Sequence, residues 1–188
     1  MKYYITADVH GFYTEFRKAL NEAGYFIDPG PRKLIILGDL FDRGQEALQM
    51  QQFILQFMEQ DDVILVRGNH EDLYEEMITI DEGLPVHHHK SNGTYSTALQ
   101  LTGYNLGLAV VRNYEFAEAA QNTPYYQQII PAMIDFYETE HYIFIHGWIP
   151  CIQEHNGSLS YRSDWRKATP TEWHLARWSN GMDAAQSC

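Results

Sequence analysis

Short apolar runs that stop abruptly at small and charged residues set the pattern of this chain. Tyr3-Tyr4-Ile5-Thr6-Ala7 runs into Asp8-Val9-His10-Gly11, and Leu34-Ile35-Ile36-Leu37 runs into Gly38-Asp39-Leu40-Phe41-Asp42-Arg43-Gly44. Val63-Ile64-Leu65-Val66 runs into Arg67-Gly68-Asn69-His70-Glu71, and Tyr142-Ile143-Phe144-Ile145 ends at His146-Gly147. Such runs, bounded by glycine, read as buried strands with polar residues at their C-terminal ends. Between them lie helical spacings. Phe12, Phe16, Leu20 and Ala23 make one apolar face that stops at Gly24; Ala47, Met50, Ile54 and Phe57 make another that ends near Asp61-Asp62. A third helix is expected over Leu73–Ile80. This β-α-β-α-β alternation predicts parallel strands joined by right-handed crossovers, with helices covering the sheet.

From Asp81 to Thr123 the pattern weakens. Gly83, Pro85, Asn92-Gly93 and Gly103 break the segment, and only Tyr95–Leu101 keeps a helical spacing. Residues 81–123 are therefore expected to form an insertion or lid beside the rim, because long irregular segments in compact domains are often functional. A helix is expected from Tyr125 to Met133, with Pro131 near its end. Met133–Tyr137 and Tyr142–Ile145 then read as paired strands. After Gly147 the chain is Trp-rich and irregular, with a helix at Thr171–Arg177. Residues 1–188 read as a single domain without repeats.

Composition narrows the function more than the fold. Apolar residues make up 45% of the 188 and charged residues 20%, as in ordinary globular proteins. A net charge of −12 argues against a nucleic-acid-binding surface, which needs a basic stripe. An anionic substrate stays open, because bound cations reverse the local sign. Cys151 and Cys188 are too few for a disulfide framework and fit a reducing compartment. No signal peptide precedes the first strand, and no apolar run approaches the roughly 18 residues of a membrane span. The expectation is a cytoplasmic protein with no membrane partner.

The strand ends deliver Asp8, His10, Asp39, Asn69 and His146 to one rim, where ligands bind in open α/β sheets. Carboxylate, imidazole and amide oxygen together suit divalent Mn, Fe or Zn rather than a thiolate site. Asp8, Asp39 and Asp42 also need cations, and Arg43 alone cannot neutralise three carboxylates. Taken singly the residues are ambiguous. His146 could be a packed side chain, and Asp42–Arg43 a simple ion pair capping the next helix. His87, His88 and His89 could reach the rim, or lie in a solvated polar loop that binds metal only adventitiously.

The three long motifs, in order, resemble the first three signatures of the calcineurin-like metallophosphoesterases, and His146-Gly147 resembles the fourth. The Asp42-Arg43-Gly44 and Arg67–Glu71 forms look most like the branch of phosphoprotein phosphatases and diadenosine tetraphosphatases. The resemblance covers about residues 1–150. Ala7 replaces a common glycine, and Trp148 replaces a small residue. The resemblance implies an α/β sandwich of two mixed sheets flanked by helices, and hydrolysis of a phosphoester by water activated between two divalent metal ions. Asp8 and His10 would hold the first metal, Asn69 and His146 the second, and Asp39 would bridge them. Arg43, Asn69 and His70 would contact the substrate. Arg43 would fork onto phosphate, His70 would protonate the leaving alkoxide, and Asp42 would orient His70. The substrate could be a phosphoprotein or a nucleotide polyphosphate.

One signature of the family is not found. Its later Gly-His motif, which completes the second metal's shell, is matched by neither His155 nor His174, and Arg177–Gly181 sits where the family approaches it. The expectation is a truncated member ending at Cys188, with C-terminal strands missing, an incomplete second metal site and weak activity. An exposed C-terminal sheet edge, over 142–188, could then seal a homodimer. The competing reading is a catalytically impaired phosphate-binding or interaction domain.

Overall fold

The strand with three consecutive fully buried aliphatics, β2 (Arg32–Leu37), lies at the centre of a parallel sheet, between β1 (Lys2–Ala7) and β3 (Val63–Val66). Ala7 pairs with Leu37 and Leu37 with Val66, so the three motif turns leave the sheet at one level. This computed structural model describes residues 1–179 apart from Pro85, Asn156, Gly157 and Tyr161. Pro85, Asn180, Gly181 and Cys188, which the sequence reading used, lie outside the described residues.

Helices α1 (Tyr13–Glu22), α2 (Ala47–Glu59) and α3 (Asn69–Thr79) follow the three strands. Phe16 and Leu20 of α1 are buried, as are Ala47, Met50, Ile54 and Phe57 of α2, in one core with Leu34, Ile36 and Tyr74. Phe12 and Ala23, expected on the buried face of α1, fall just outside the helix and are exposed. Helix α3 starts four residues earlier than expected, which places Asn69 and His70 in its first turn.

The segment after α3 corrects the expectation of irregular chain. It folds as α4 (His87–Asn92), α5 (Thr94–Thr102), α6 (Leu106–Val111) and α7 (Asn113–Gln121). Gly93 and Gly103, read as breakers, adopt the left-handed conformation at the ends of α4 and α5, where they terminate one short helix and allow the next. Beside the large Tyr95 and Phe116, the buried residues of these helices are mostly small or polar (Thr94, Thr97, Ala98, Ala109, Ala117, Ala120), so hydrophobic periodicity is faint.

Tyr125–Met133 is a π turn over Tyr125–Ile129 followed by a single α turn, α8 (Ile130–Ala132), rather than a regular helix. Pro131 lacks the N–H a longer helix would need. Ile134 then bonds beside β3 through its N–H to Leu65 and its carbonyl to Arg67. It leads into the antiparallel ribbon β4 (Phe136–Glu138) and β5 (Ile143–Ile145), the paired strands expected there with shorter bounds. Tyr137 of this ribbon meets Tyr3 of β1 hydroxyl to hydroxyl at 3.1 Å. The stretch after Gly147, expected to be irregular, contains another small antiparallel pair, β6 (Ile152–Gln153) with β7 (Leu159–Ser160). Helix α9 (Pro170–Arg177) follows, with a Thr169–Glu172 capping box at its start. The architecture is thus α/β, with sheets flanked by helices.

Candidate active site

Among the described residues, five of the seven non-glycine positions with positive φ are Asp8, His10, Asp39, Asp42 and Arg43. Left-handed backbone is strained for these residue types, and such strain concentrates where side chains must be aimed. Two glycines allow the strand ends to converge. A Cβ on Gly68 would sit 2.4 Å from Asp39 Oδ1, and one on Gly38 would meet the Gly68 backbone at 2.5 Å and His146 Nδ1 at 2.6 Å.

Asp39 lies where the motifs meet. Its Oδ1 accepts the His70 backbone N–H at 3.1 Å and lies 3.5 Å from His146 Nε2; its Oδ2 lies 3.8 Å from the Nε2 atoms of both His10 and His70. Asp39 therefore belongs to two groups of ligand atoms, one with His10 and His70 and one with Asp8 and His146. Asp8 gathers on the His146 side, its Oδ1 3.8 Å from His146 Nδ1, and is the most exposed of the group.

The imidazoles are set by their outer nitrogens. His10 Nδ1 donates to the Phe41 carbonyl at 2.9 Å, and His146 Nδ1 donates to the Leu37 carbonyl at 2.8 Å. Each leaves an Nε2 lone pair facing inward, as metal-ligating histidines do. His146 Nε2 then faces Asn69 Oδ1 at 2.9 Å, with Asp39 Oδ1 beside them. Three electron-rich atoms converge there, an arrangement that a cation satisfies, so the residues present fit a metal centre. Burial lowers the pKa of His10, with His70 and Arg43 adding to the effect, which keeps it neutral and able to ligate.

His70 is the opposite case. Burial disfavours its charge, but the Asp42 hydrogen bond and the fields of Asp39, Asp42 and Glu71 outweigh it, and its pKa is raised. Its Nδ1 donates to Asp42 Oδ2 at 2.7 Å, and its Nε2 lies 3.5 Å from Arg43 Nη2. The two rings, 4.7 Å apart, are pushed in opposite directions, one toward the neutral imidazole and the other toward the imidazolium. Asp42 directs its side chain to His70 and Thr94, so it does not serve as a cap for α2. Arg43 is exposed at the rim, with its guanidinium beside His70.

Several supporting residues had no role in the sequence reading. Glu71, fully buried, accepts the backbone N–H groups of Asp39, Leu40 and Gly68 and the Tyr125 hydroxyl, and so fixes the loop that aims Asp39. Burial and the neighbouring Asp39 raise its pKa, while the three N–H donors oppose the shift. The glutamate three residues after Gly68 is the carboxylate half of a capping box, which is the signal that could have found it. Thr94 donates to Asp42 Oδ2 at 2.6 Å, and Thr97 accepts the Asp42 N–H at 3.0 Å. Asp72 accepts from both Arg67 and Arg177, and Arg177 also reaches Asp135 at 2.8 Å, which ties α9 to α3. His87, His88 and His89 do not join the rim; His88 and His89 gather with Glu76 and Asp81 at the far end of α3.

The family model for calcineurin-like phosphoesterases matches residues 1–185. The chain belongs to that family. Among the curated relatives of this phosphoesterase, bis(5'-nucleosyl)-tetraphosphatase PrpE (asymmetrical) from Geobacillus sp. (strain WCH70) is 40% identical over 76 residues, 37% of this chain and 31% of the relative. The protein of the same name from Bacillus subtilis (strain 168) is 36% identical over 76 residues, with the same shares. The chain thus spans about a third of the length of the curated relatives it matches. Among solved structures, a point mutant of a cold-active protein tyrosine phosphatase superposes over 99% of this chain and 54% of its own, with a TM-score of 0.52 at 16% identity. At that identity the likeness concerns the fold alone. Among the described residues, no helix is long and apolar enough to cross a membrane.

Proposed function

We propose that this site hydrolyses phosphoesters with two divalent metal ions, and that nucleotide polyphosphates are favoured over phosphoproteins as substrates. The observation that carries the reading is Asp39, whose Oδ2 faces His10 and whose Oδ1 faces His146 beside Asn69, next to the His70–Asp42 pair. The relatives named for dinucleoside tetraphosphate cleavage support the substrate class.

Asp8 and His10 would hold one ion, Asn69 and His146 the other, and Asp39 both; manganese, iron and zinc all suit the donors. When bound, the ions supply positive charge for the phosphate and an acidified water for in-line attack. The remaining work falls to side chains. Arg43 forks onto non-bridging phosphate oxygens, and Asn69 and His70 line the same position. His70 Nε2–H, held protonated by Asp42, gives its proton to the leaving oxygen. Thr94 and Thr97 hold the Asp42 loop from α5, so residues 81–123 act as a fixed scaffold for the acid rather than as a moving lid. The low cysteine count supports a cytoplasmic setting.

The test is turnover of diadenosine tetraphosphate and p-nitrophenyl phosphate with added manganese, with Asp39→Asn as the control. The expected result is metal-dependent hydrolysis lost in the variant, with the tetraphosphate split unevenly into a triphosphate and a monophosphate. Phosphate binding with no turnover of either compound would favour the non-catalytic reading instead.

A further inference from the structure

Helix α3 carries Asn69 and His70 at its start and Glu76 in its last part, roughly 9 Å further along the axis at 1.5 Å per residue. Beyond its end, Asp81 and the following helix α4 fold back. There Glu76, Asp81, His88 and His89 each bring one ligand atom to within 4.8 Å of the others. His88 Nε2 lies 3.3 Å from Glu76 Oε1, and His89 Nε2 lies 2.9 Å from Asp81 Oδ2. The two imidazole centroids are 4.0 Å apart. His89 is completely buried, and its Nδ1 has no hydrogen-bond partner.

Two carboxylates and two imidazoles thus gather at one point of the fold. Among the described residues neither carboxylate pairs with a lysine or arginine. The unmet Nδ1 of a buried ring shows further that protein hydrogen bonds do not complete the cluster. One dication at the centre of the cluster would meet both carboxylates and both imidazoles at once.

We propose that Glu76, Asp81, His88 and His89 form a second metal site, separate from the catalytic rim, for a zinc-like transition-metal dication. Two imidazoles and two carboxylates select zinc, cobalt or nickel over magnesium or calcium. Four protein ligands describe a closed, structural site. The metal clips α4 onto the end of α3. Helix α4 runs through Gly93, whose added Cβ would sit 2.3 Å from the Arg43 nitrogen, into Thr94, which holds Asp42. The clip therefore braces the helices that support the acid loop. This inference does not depend on the phosphoesterase reading.

Zinc titration by calorimetry on the full chain carrying Asp39→Asn, which removes the carboxylate shared by the rim ligands, tests the site. About one zinc should bind at micromolar concentration or below, and the melting temperature should rise with zinc. Added His88→Ala or Glu76→Gln, both at half-exposed positions that leave folding intact, should each weaken that binding at least about tenfold and remove the thermal shift. Binding at millimolar zinc only, or affinity unchanged in both variants, would overturn the proposal.

Discussion

The parallel sheet with its three helices and the ribbon that follows it contribute to the same site in different ways. In the first region the motif residues follow three strand ends at matched register, Asp8, His10, Asp39, Asp42 and Arg43 on left-handed backbone and Asn69 and His70 in the first turn of α3, backed by a continuous core that includes Tyr4, Phe41, Met50 and Tyr74. In the second, one side chain, His146, reaches the rim, and the local core comprises Ile149, Trp165, Trp173 and Ala176. Tyr142, Ile143, Ile152 and Trp178 stay exposed there. Most of the site is thus built in the first region, and the second joins it through one histidine. Arg177 of α9 ties the two together through Asp72, two residues from His70, along with the Tyr3–Tyr137 contact and the bonds of Ile134 beside β3.

The sharpest break within the first region is His70→Asn. If His70 is the acid, this change should slow hydrolysis of alkyl phosphates by about 10²–10⁴-fold while affecting aryl phosphates much less, since their leaving groups need little protonation. Equal losses for both ester types in steady-state assays would remove the acid role.

Arg177→Met tests the tie between the two regions. It strips one partner from a buried carboxylate that keeps Arg67 and His174, so the loss should fall below the roughly 3–5 kcal/mol of a bare broken pair, at about 2 kcal/mol. Urea unfolding would measure it, and a change under about 0.5 kcal/mol, the scale of an exposed pair, would show that the two regions hold together without this network.

These two residues also mark what the sequence could convey. The position of His70 was legible because its motif follows an apolar run directly, and the run places it just past a strand end, in the first turn of α3. Arg177 was not, because its partners Asp72 and Asp135 lie far away in sequence and no local periodicity announces such a pair. Glu71 stood inside a motif, yet its role depends on backbone N–H groups of a different loop. The helices of 81–123 were hidden for another reason. Apart from Tyr95 and Phe116, their buried residues are mostly threonine and alanine, and their end glycines look like breakers until the left-handed caps are seen. His146 was expected at the rim and stands there beside Asp39 and Asn69, but the side on which Asp8 gathers was not legible.

A smaller effect should come from Thr94→Val, which removes the hydroxyl that donates to Asp42. A hydrogen bond to a charged group contributes about 1.5–3 kcal/mol, so a loss of roughly tenfold in kcat with little change in KM is expected. A rate equal to the parent would show that α5 does not support the acid. The smallest effect belongs to the ribbon surface. Ile143→Ser should reduce any concentration-dependent self-association seen by light scattering, while stability changes by less than about 1 kcal/mol at this exposed position. Association unaffected by the change would place the contact elsewhere.

The central claim is that Asp39 serves two metal ions while its neighbours serve one each. Elemental analysis of manganese bound after dialysis tests it directly, on the parent chain, Asp39→Asn, Asn69→Ala and His146→Ala. The account predicts that Asp39→Asn loses metal from both positions, whereas Asn69→Ala and His146→Ala each lose about one equivalent and keep the ion held by Asp8 and His10. Equal losses from all three changes would contradict it.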